Sequence, residues 1–372
     1  VRPLVGEPDT PGFGEIELRS HFRAVAAAAL VFTFALAGPV LAQTAYIPNQ
    51  GPDTVSVINV ASGAVVGAPI AVGANPYGVA LSPDATRVYV TNNGGNSLSV
   101  IDAATAAVTN TIAVGSGPLG VAVSSNGARV YVSNYSANTL SVIDTASNTV
   151  TATAATGGSP LGVVVSNDGT RVYVANEGSS TVTVIDTATN GVVTTVGVGG
   201  NPRGLALSPD GARLYVANGV SNSVSVINTG TNGVVATYGA GNQPRGVAVS
   251  NDGARIYVAN TTAGTVSVID SGTGGLIATV TVGALPNGVD VSPDGALLYV
   301  ANSGSANVSV INTASNTVTS TITVGATPQA LGQFIGSYPA RVPTLSEWAM
   351  ILLGLTLAGG AALHLQRRRM TV

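Results

Sequence analysis

A four-residue phrase, Tyr-Val-x-Asn and its close variants, returns seven times along this chain, beginning at Tyr46, Tyr89, Tyr131, Tyr173, Tyr215, Tyr257 and Tyr299. The first step is 43 residues and every later one is 42. A Pro-x-Gly phrase keeps the same interval at Pro76, Pro118, Pro160, Pro202, Pro244 and Pro286, with a degenerate seventh copy at Pro328. A fixed period constrains the fold more than length does, because equal units that cannot bury a hydrophobic face alone must stack into one body. One unit reads as four strands by its alternation and turn residues. Residues 202–208 form strand A, Pro209-Asp210-Gly211 turns into strand B at 213–218, residues 223–227 form strand C and residues 234–238 strand D. Four antiparallel strands in about 40–45 residues have the size of a propeller blade.

The chain enters the repeat at a strand B and leaves after a lone strand A at 329–335. The expectation is therefore an all-β, seven-bladed β-propeller of four-stranded antiparallel blades, its first blade closed by the C-terminal strand so that no sheet edge is left open. The composition agrees. Lysine and cysteine are absent, only 8% of residues are charged, and Gly, Val, Thr, Ser and Asn are abundant, as short β-branched strands joined by tight turns require. The Tyr-Val-x-Asn strands, each followed twelve residues on by the Ile of a Val-Ile-Asp/Asn phrase, and the Pro-x-Gly-Val-Ala-Val-Ser strands resemble the YVTN family of β-propeller repeats, from about Tyr46 to Ile335. The first copy departs from the pattern as Tyr46-Ile47-Pro48-Asn49. Propellers similar to these include lactonases, whose sites use acidic and amide ligands at the channel, so the resemblance also implies a hydrolase with a channel metal site as the alternative function.

Both ends carry targeting patterns. Arg19, His21 and Arg23 precede an uncharged run over 24–37 and then Val40-Leu41-Ala42, the layout of a secretory signal cleaved after Ala42. At the other end Val342-Pro343-Thr344-Leu345-Ser346-Glu347-Trp348 precedes an apolar run over 349–365 and the basic stop Arg367, Arg368 and Arg369. A short membrane helix follows from the run, with Trp348 at one interface and the arginines on the cytoplasmic side. The phrase, run and tail resemble the IPTL-type C-terminal sorting signal of Gram-negative bacteria, with Val342 for the usual Ile. That resemblance implies handling by an exosortase-like envelope sorting protease. The expected division is a signal-bearing extension at 1–42, the propeller at 43–336, a linker at 337–341 and the sorting segment, membrane helix and basic tail at 342–372. A short hydrophobic helix is thus expected at each terminus of an exported protein of the periplasm, outer membrane or cell surface.

Chemistry is sparse. The only histidines are His21 and His364, so residues 43–341 hold no histidine, cysteine or lysine, which excludes a Ser-His-Asp triad, a Cys-His pair and a His-ligated zinc there. The formal charge of −3 offers no basic face for nucleic acid. Asp84, Asp168, Asp210, Asp252 and Asp294 fill the A-to-B turns and Asp102, Asp144, Asp186 and Asp270 close strand C, where aspartate favours turns. Arg87, Arg129, Arg171, Arg213 and Arg255 recur two residues before the Tyr and are expected to pair with those carboxylates. Binding residues are sought where the repeat fails. The residue after each Pro varies as Tyr77, Leu119, Leu161, Arg203, Arg245, Asn287 and Gln329, and these seven should ring one channel mouth. Arg203 and Arg245 point to an anionic ligand, a glycan or a protein partner. Asp290 stands mid-strand where other blades carry Ala or Val. No resident metal or cofactor is expected; calcium is the one cation that Asp290 with Asn287 would begin to ligate, and it wants about 6–8 oxygens. No catalytic residue is assigned, and Glu177 and Tyr135 are taken as loop residues.

Overall fold

The computed structural model describes residues 42–338. The expected signal segment before Ala42, the Pro-Thr-Leu sorting phrase, the helix expected at each terminus and the basic stop lie outside the described residues. Seven antiparallel sheets make the ring, six of them plain four-stranded meanders such as Pro202–Leu207, Arg213–Asn218, Ser223–Asn228 and Gly233–Gly239. No helix occurs among the described residues.

The Tyr-Val-x-Asn phrase is strand B of every blade, and each of its tyrosines is at most 2% exposed. The tyrosine works between blades. Tyr89, Leu98 and Val100 of one sheet share a core with Val121, Val130 and Val132 of the next, and the same arrangement recurs around the ring. The Asn at the end of strand B is also buried. Asn218 donates from Nδ2 to Ser223 Oγ at 3.2 Å and Ser225 Oγ at 2.9 Å, tying strand B to strand C, and all seven copies make equivalent bonds. A buried amide donor needs such acceptors, which is why strand C begins with hydroxyl residues in six blades and with Asn307, accepting through Oδ1, in the seventh.

The Pro-x-Gly glycine has a different cause. A Cβ on Gly120 would overlap the carbonyl oxygen of Leu161, and one on Gly162 that of Arg203, because strands A of neighbouring blades converge at the axis. Only a glycine permits that backbone approach. In the A-to-B turns Ser208 Oγ donates to Asp210 Oδ1, which also accepts the Ala212 N–H at 3.0 Å, while Gly211 takes φ +70°. The serine bond, first among the causes, holds the Asp210 carboxyl below its ordinary value.

Blade one is stitched from both ends. Ala42–Asn49 pairs with Thr54–Asn59 on one side and with Ile335–Tyr338 on the other. Pro328 bridges Asn49 as Pro286 bridges Asn302 in the preceding blade. The closing strand is not a simple copy, however. In blade seven Pro286 and Val291 face Asn302 and Leu298; the corresponding partners Asn49 and Ala45 face Pro328 and Ile335, two residues farther apart. The insertion forms a bulge at Leu331 to Gln333 that also touches blade two, where Leu331 bridges Gly78 in parallel. The extra residue behind the 43-residue first step sits in strand D of the same blade, which is split into Ala64–Val65 and Ile70–Ala71. The largest core cluster joins Tyr299 and Val308 of blade seven, Ile47 and Ile58 of blade one, Val88 of blade two and Phe334 of the closing strand.

Candidate functional site

Strand A starts at the face carrying the D-to-A and B-to-C loops, so the residue after each Pro is set where the channel begins. Tyr77, Leu119 and Leu161 meet there in one buried apolar cluster, together with Leu331 from the closing bulge and with Tyr135 packed against it. This cluster forms a plug rather than an open ring. Arg245 reaches across the mouth, donating from Nη2 to the Tyr77 hydroxyl and lying 5.5 Å from the centroid of its ring. Loss of water pulls the Arg245 guanidinium down to about 10. Asn287 donates from Nδ2 to Gln329 Oε1, and Gln329 continues the chain to Gln50 Oε1 at 3.0 Å.

The two expected arginines are not alike. Arg203 donates from Nε to Glu177 Oε1 at 2.9 Å, so its charge is already met by a loop residue of the preceding blade. Nothing in the repeat pattern marked Glu177 as that partner, although it and Asp53 are the two carboxylates in the B-to-C loops of the repeats. Leu331 was also missed, because it becomes part of the mouth only through the two-residue insertion.

Asp290 lies away from this cluster, in the wall of the channel, and its oxygens are committed. Oδ1 accepts its neighbour's N–H, Val291 at 3.0 Å, and Oδ2 accepts Phe334 at 2.8 Å and Ile335 at 2.9 Å. Both outer donors belong to the end of the closing-strand bulge. The carboxylate thus receives two backbone amides of the closing strand that face the channel side, which gives a structural reason for Asp where other blades hold Ala or Val. Burial pushes its carboxyl up to about 7, against the pull of the three N–H groups. The geometry does not join Asp290 and Asn287 into one ligand set: the first is bonded to the closing strand, the second to Gln329. Among the described residues no group of three or more His, Cys, Asp or Glu side chains is placed to hold a metal ion.

Below the plug the channel widens into a cavity of about 660 Å³ that reaches the A-to-B turns. Its wall is made of strands A, with Val121, Val163 and Val247 typical, and Asp290 and Gln333 supply polar groups. The repeated arginines do not behave as expected either. Arg171 pairs with Asp186 at 2.5 Å, but Arg87, Arg129, Arg213 and Arg255 donate to the carbonyls of Thr145, Thr187, Ser271 and Thr313, each in the C-to-D turn of the next blade. These arginines staple blades together.

A family profile described as a YNCE-like beta-propeller matches residues 17–126, 110–213 and 206–291. A second, the IPTL-CTERM motif, matches residues 342–369. No curated protein matches the chain. Similar solved structures include Kuenenia stuttgartiensis hydrazine synthase, with a TM-score of 0.63 and 24% identity over 68% of this chain and 88% of that one. A functionally unknown protein from Desulfotomaculum acetoxidans DSM 771 gives a TM-score of 0.67 and 17% identity, covering 78% of this chain and 100% of that one. A "putative 6-phosphogluconolactonase" from Bacteroides uniformis ATCC 8492 gives 0.66 and 21%, covering 80% and 98%. At these identities the likeness establishes the ring fold and leaves the chemistry to the residues themselves.

Proposed function

The chain belongs to the YNCE-like β-propeller family, and from that membership together with its IPTL-CTERM ending we propose that it is an exported propeller, sorted to the cell envelope through its C-terminal signal, whose ring serves there as a binding and structural module. The observation that carries this reading is the sorting motif joined to a closed propeller within one chain. The 19–42 segment acts in this reading as the cleaved export signal. The 349–365 run anchors the chain, transiently or permanently, until a sorting protease of the envelope handles it. Blade stacking, stapling arginines and a plugged channel suit a rigid body displayed outside the cytoplasm, where a ring held by packing and hydrogen bonds needs no cysteine.

A hydrolase of the lactonase kind is the second reading, favoured by the cavity with Asp290 in its wall. Binding is preferred because Asp290 spends both oxygens on backbone donors and residues 43–341 contain no histidine, cysteine or lysine to act as base or nucleophile.

Fractionation of cells producing the full chain or a form lacking residues 342–372 tests the proposal. The full chain is expected in the envelope fraction with a mass beginning at Gln43. The shortened form is expected as a soluble exported protein. An identical distribution of the two forms, or retention of both in the cytoplasm, would refute sorting through the C-terminal signal.

A further inference from the structure

Six of the seven arginines among the described residues give their charge to an oxygen acceptor of the carboxylate or carbonyl kind. Arg171 and Arg203 pair with Asp186 and Glu177, and Arg87, Arg129, Arg213 and Arg255 donate to carbonyls of the next blade. Arg245 is the exception. Its hydrogen bond goes to the Tyr77 hydroxyl, and its Nε is buried with no hydrogen-bond partner. A part-buried guanidinium whose Nε has no acceptor is costly, and an anionic ligand would answer it.

Unpartnered amide oxygens recur on the strand-B asparagines of the ring, but among the residues that follow the Pro of each blade one stands beside Arg245, at the equivalent position of the next blade. Asn287 is 3% exposed, and its Oδ1 is buried without a donor while its Nδ2 is given to Gln329. The mouth thus offers a cation in need of an anion and an acceptor in need of an N–H, beside the apolar cluster of Tyr77, Leu119, Leu161 and Leu331.

We propose that this mouth is a binding site for a carboxylate adjacent to an amide N–H and an apolar side chain, the chemistry shared by the C-terminal residue of a peptide and by a free N-acylated amino acid. The carboxylate takes the place of the Tyr77 hydroxyl on Arg245, where two N–H groups of one guanidinium can hold its two oxygens. The amide N–H turns to Asn287 Oδ1, and the side chain lies against the leucines freed as Tyr77 gives way. One uncompensated arginine selects a single negative charge, since Glu177 already neutralises Arg203. The proposal rests on the ring being a binding module, but it is independent of where the chain is sorted.

The test is calorimetric titration of the purified full chain with N-acetyl-leucine, N-acetyl-leucinamide, hexanoate and a peptide ending in Leu. The expected result is saturable binding of N-acetyl-leucine, the peptide or both. The amide, which lacks the charge, and hexanoate, which lacks the N–H, should bind at least roughly tenfold more weakly. Binding of the peptide alone would identify chain ends as the source, and binding of N-acetyl-leucine alone a small metabolite. Arg245→Met should abolish binding without lowering the melting temperature, since it removes a part-buried charge that no carboxylate or carbonyl answers and keeps an apolar stem beside Tyr77. The proposal is overturned if neither carboxylate ligand saturates, if the amide binds as well as the acid, or if Arg245→Met binds normally. Those results would leave Arg245 as part of the plug, and the fractionation outcome would stand unaffected.

Discussion

Asp290 shows how one residue can break a repeat in order to complete it. Its carboxylate serves the amides of Phe334 and Ile335 where the closing strand enters blade one. Asp290→Ala would strand those donors in the interior and is expected to cost about 3 kcal/mol or more, read as a lowered denaturant midpoint. The pH dependence has a definite sign. A carboxyl whose folded value is raised to about 7 from 3.8 holds its proton more tightly when native, so its contribution to stability is fullest below about pH 4 and declines as pH rises toward 7. Tyr299, its partner across the sheet, is pushed up to about 12 and does not titrate in that window. The turn aspartates act oppositely and elsewhere: serine and backbone donors hold them low, so their contribution is lost only as pH falls below about 4. Asp290→Asn should therefore flatten the stability profile between about pH 4 and 7, and an unchanged slope would contradict the assignment of that slope to Asp290.

At the scale of the strand, the repeat phrases are packing instructions. Strand B carries the tyrosine because blades must meet alike, and strand A carries the glycine because backbones crowd at the axis. Gly120→Ala should push Leu161 and its strand outward, costing about 1–3 kcal/mol in thermal unfolding. Gly197→Ala is the matched control. Nothing lies within 4 Å of its Cβ position in an outer strand, so it should be neutral or slightly stabilising. These elements were legible in the sequence because each phrase returns on a fixed interval. Interactions that join different intervals were not. For four of the five arginines that stand two residues before a Tyr the acceptor is a backbone carbonyl in the next blade, which no side-chain pattern reveals; Arg171 alone pairs within its own repeat. Glu177 read as a loop residue for the same reason: its meaning depends on Arg203 one blade on. The role of Asp290 could be read only after the closing strand was placed in register, two residues out of step with its siblings.

At the scale of the whole molecule, the ring depends on joining its two ends. Gly325 packs beside Asn49, with its Cβ position 2.5 Å from the amide carbon, just as Gly283 packs beside Asn302 at 2.7 Å within blade seven. The start and the end of the described chain therefore build one blade by the same contacts that build the others. An open array would expose the edge of Ala42–Asn49 and the core face of Val79 and Val88. Unfolding should consequently be cooperative over all seven blades, with the closing strand as the element on which the rest depends. The most direct measurement compares thermal unfolding of the full chain with two truncations, one lacking residues 342–372 and one lacking residues 328–372. Closure predicts that the first keeps a single transition near that of the full chain, while the second loses the transition or aggregates. An undiminished melting temperature after removal of residues 328–372 would contradict the stitched ring.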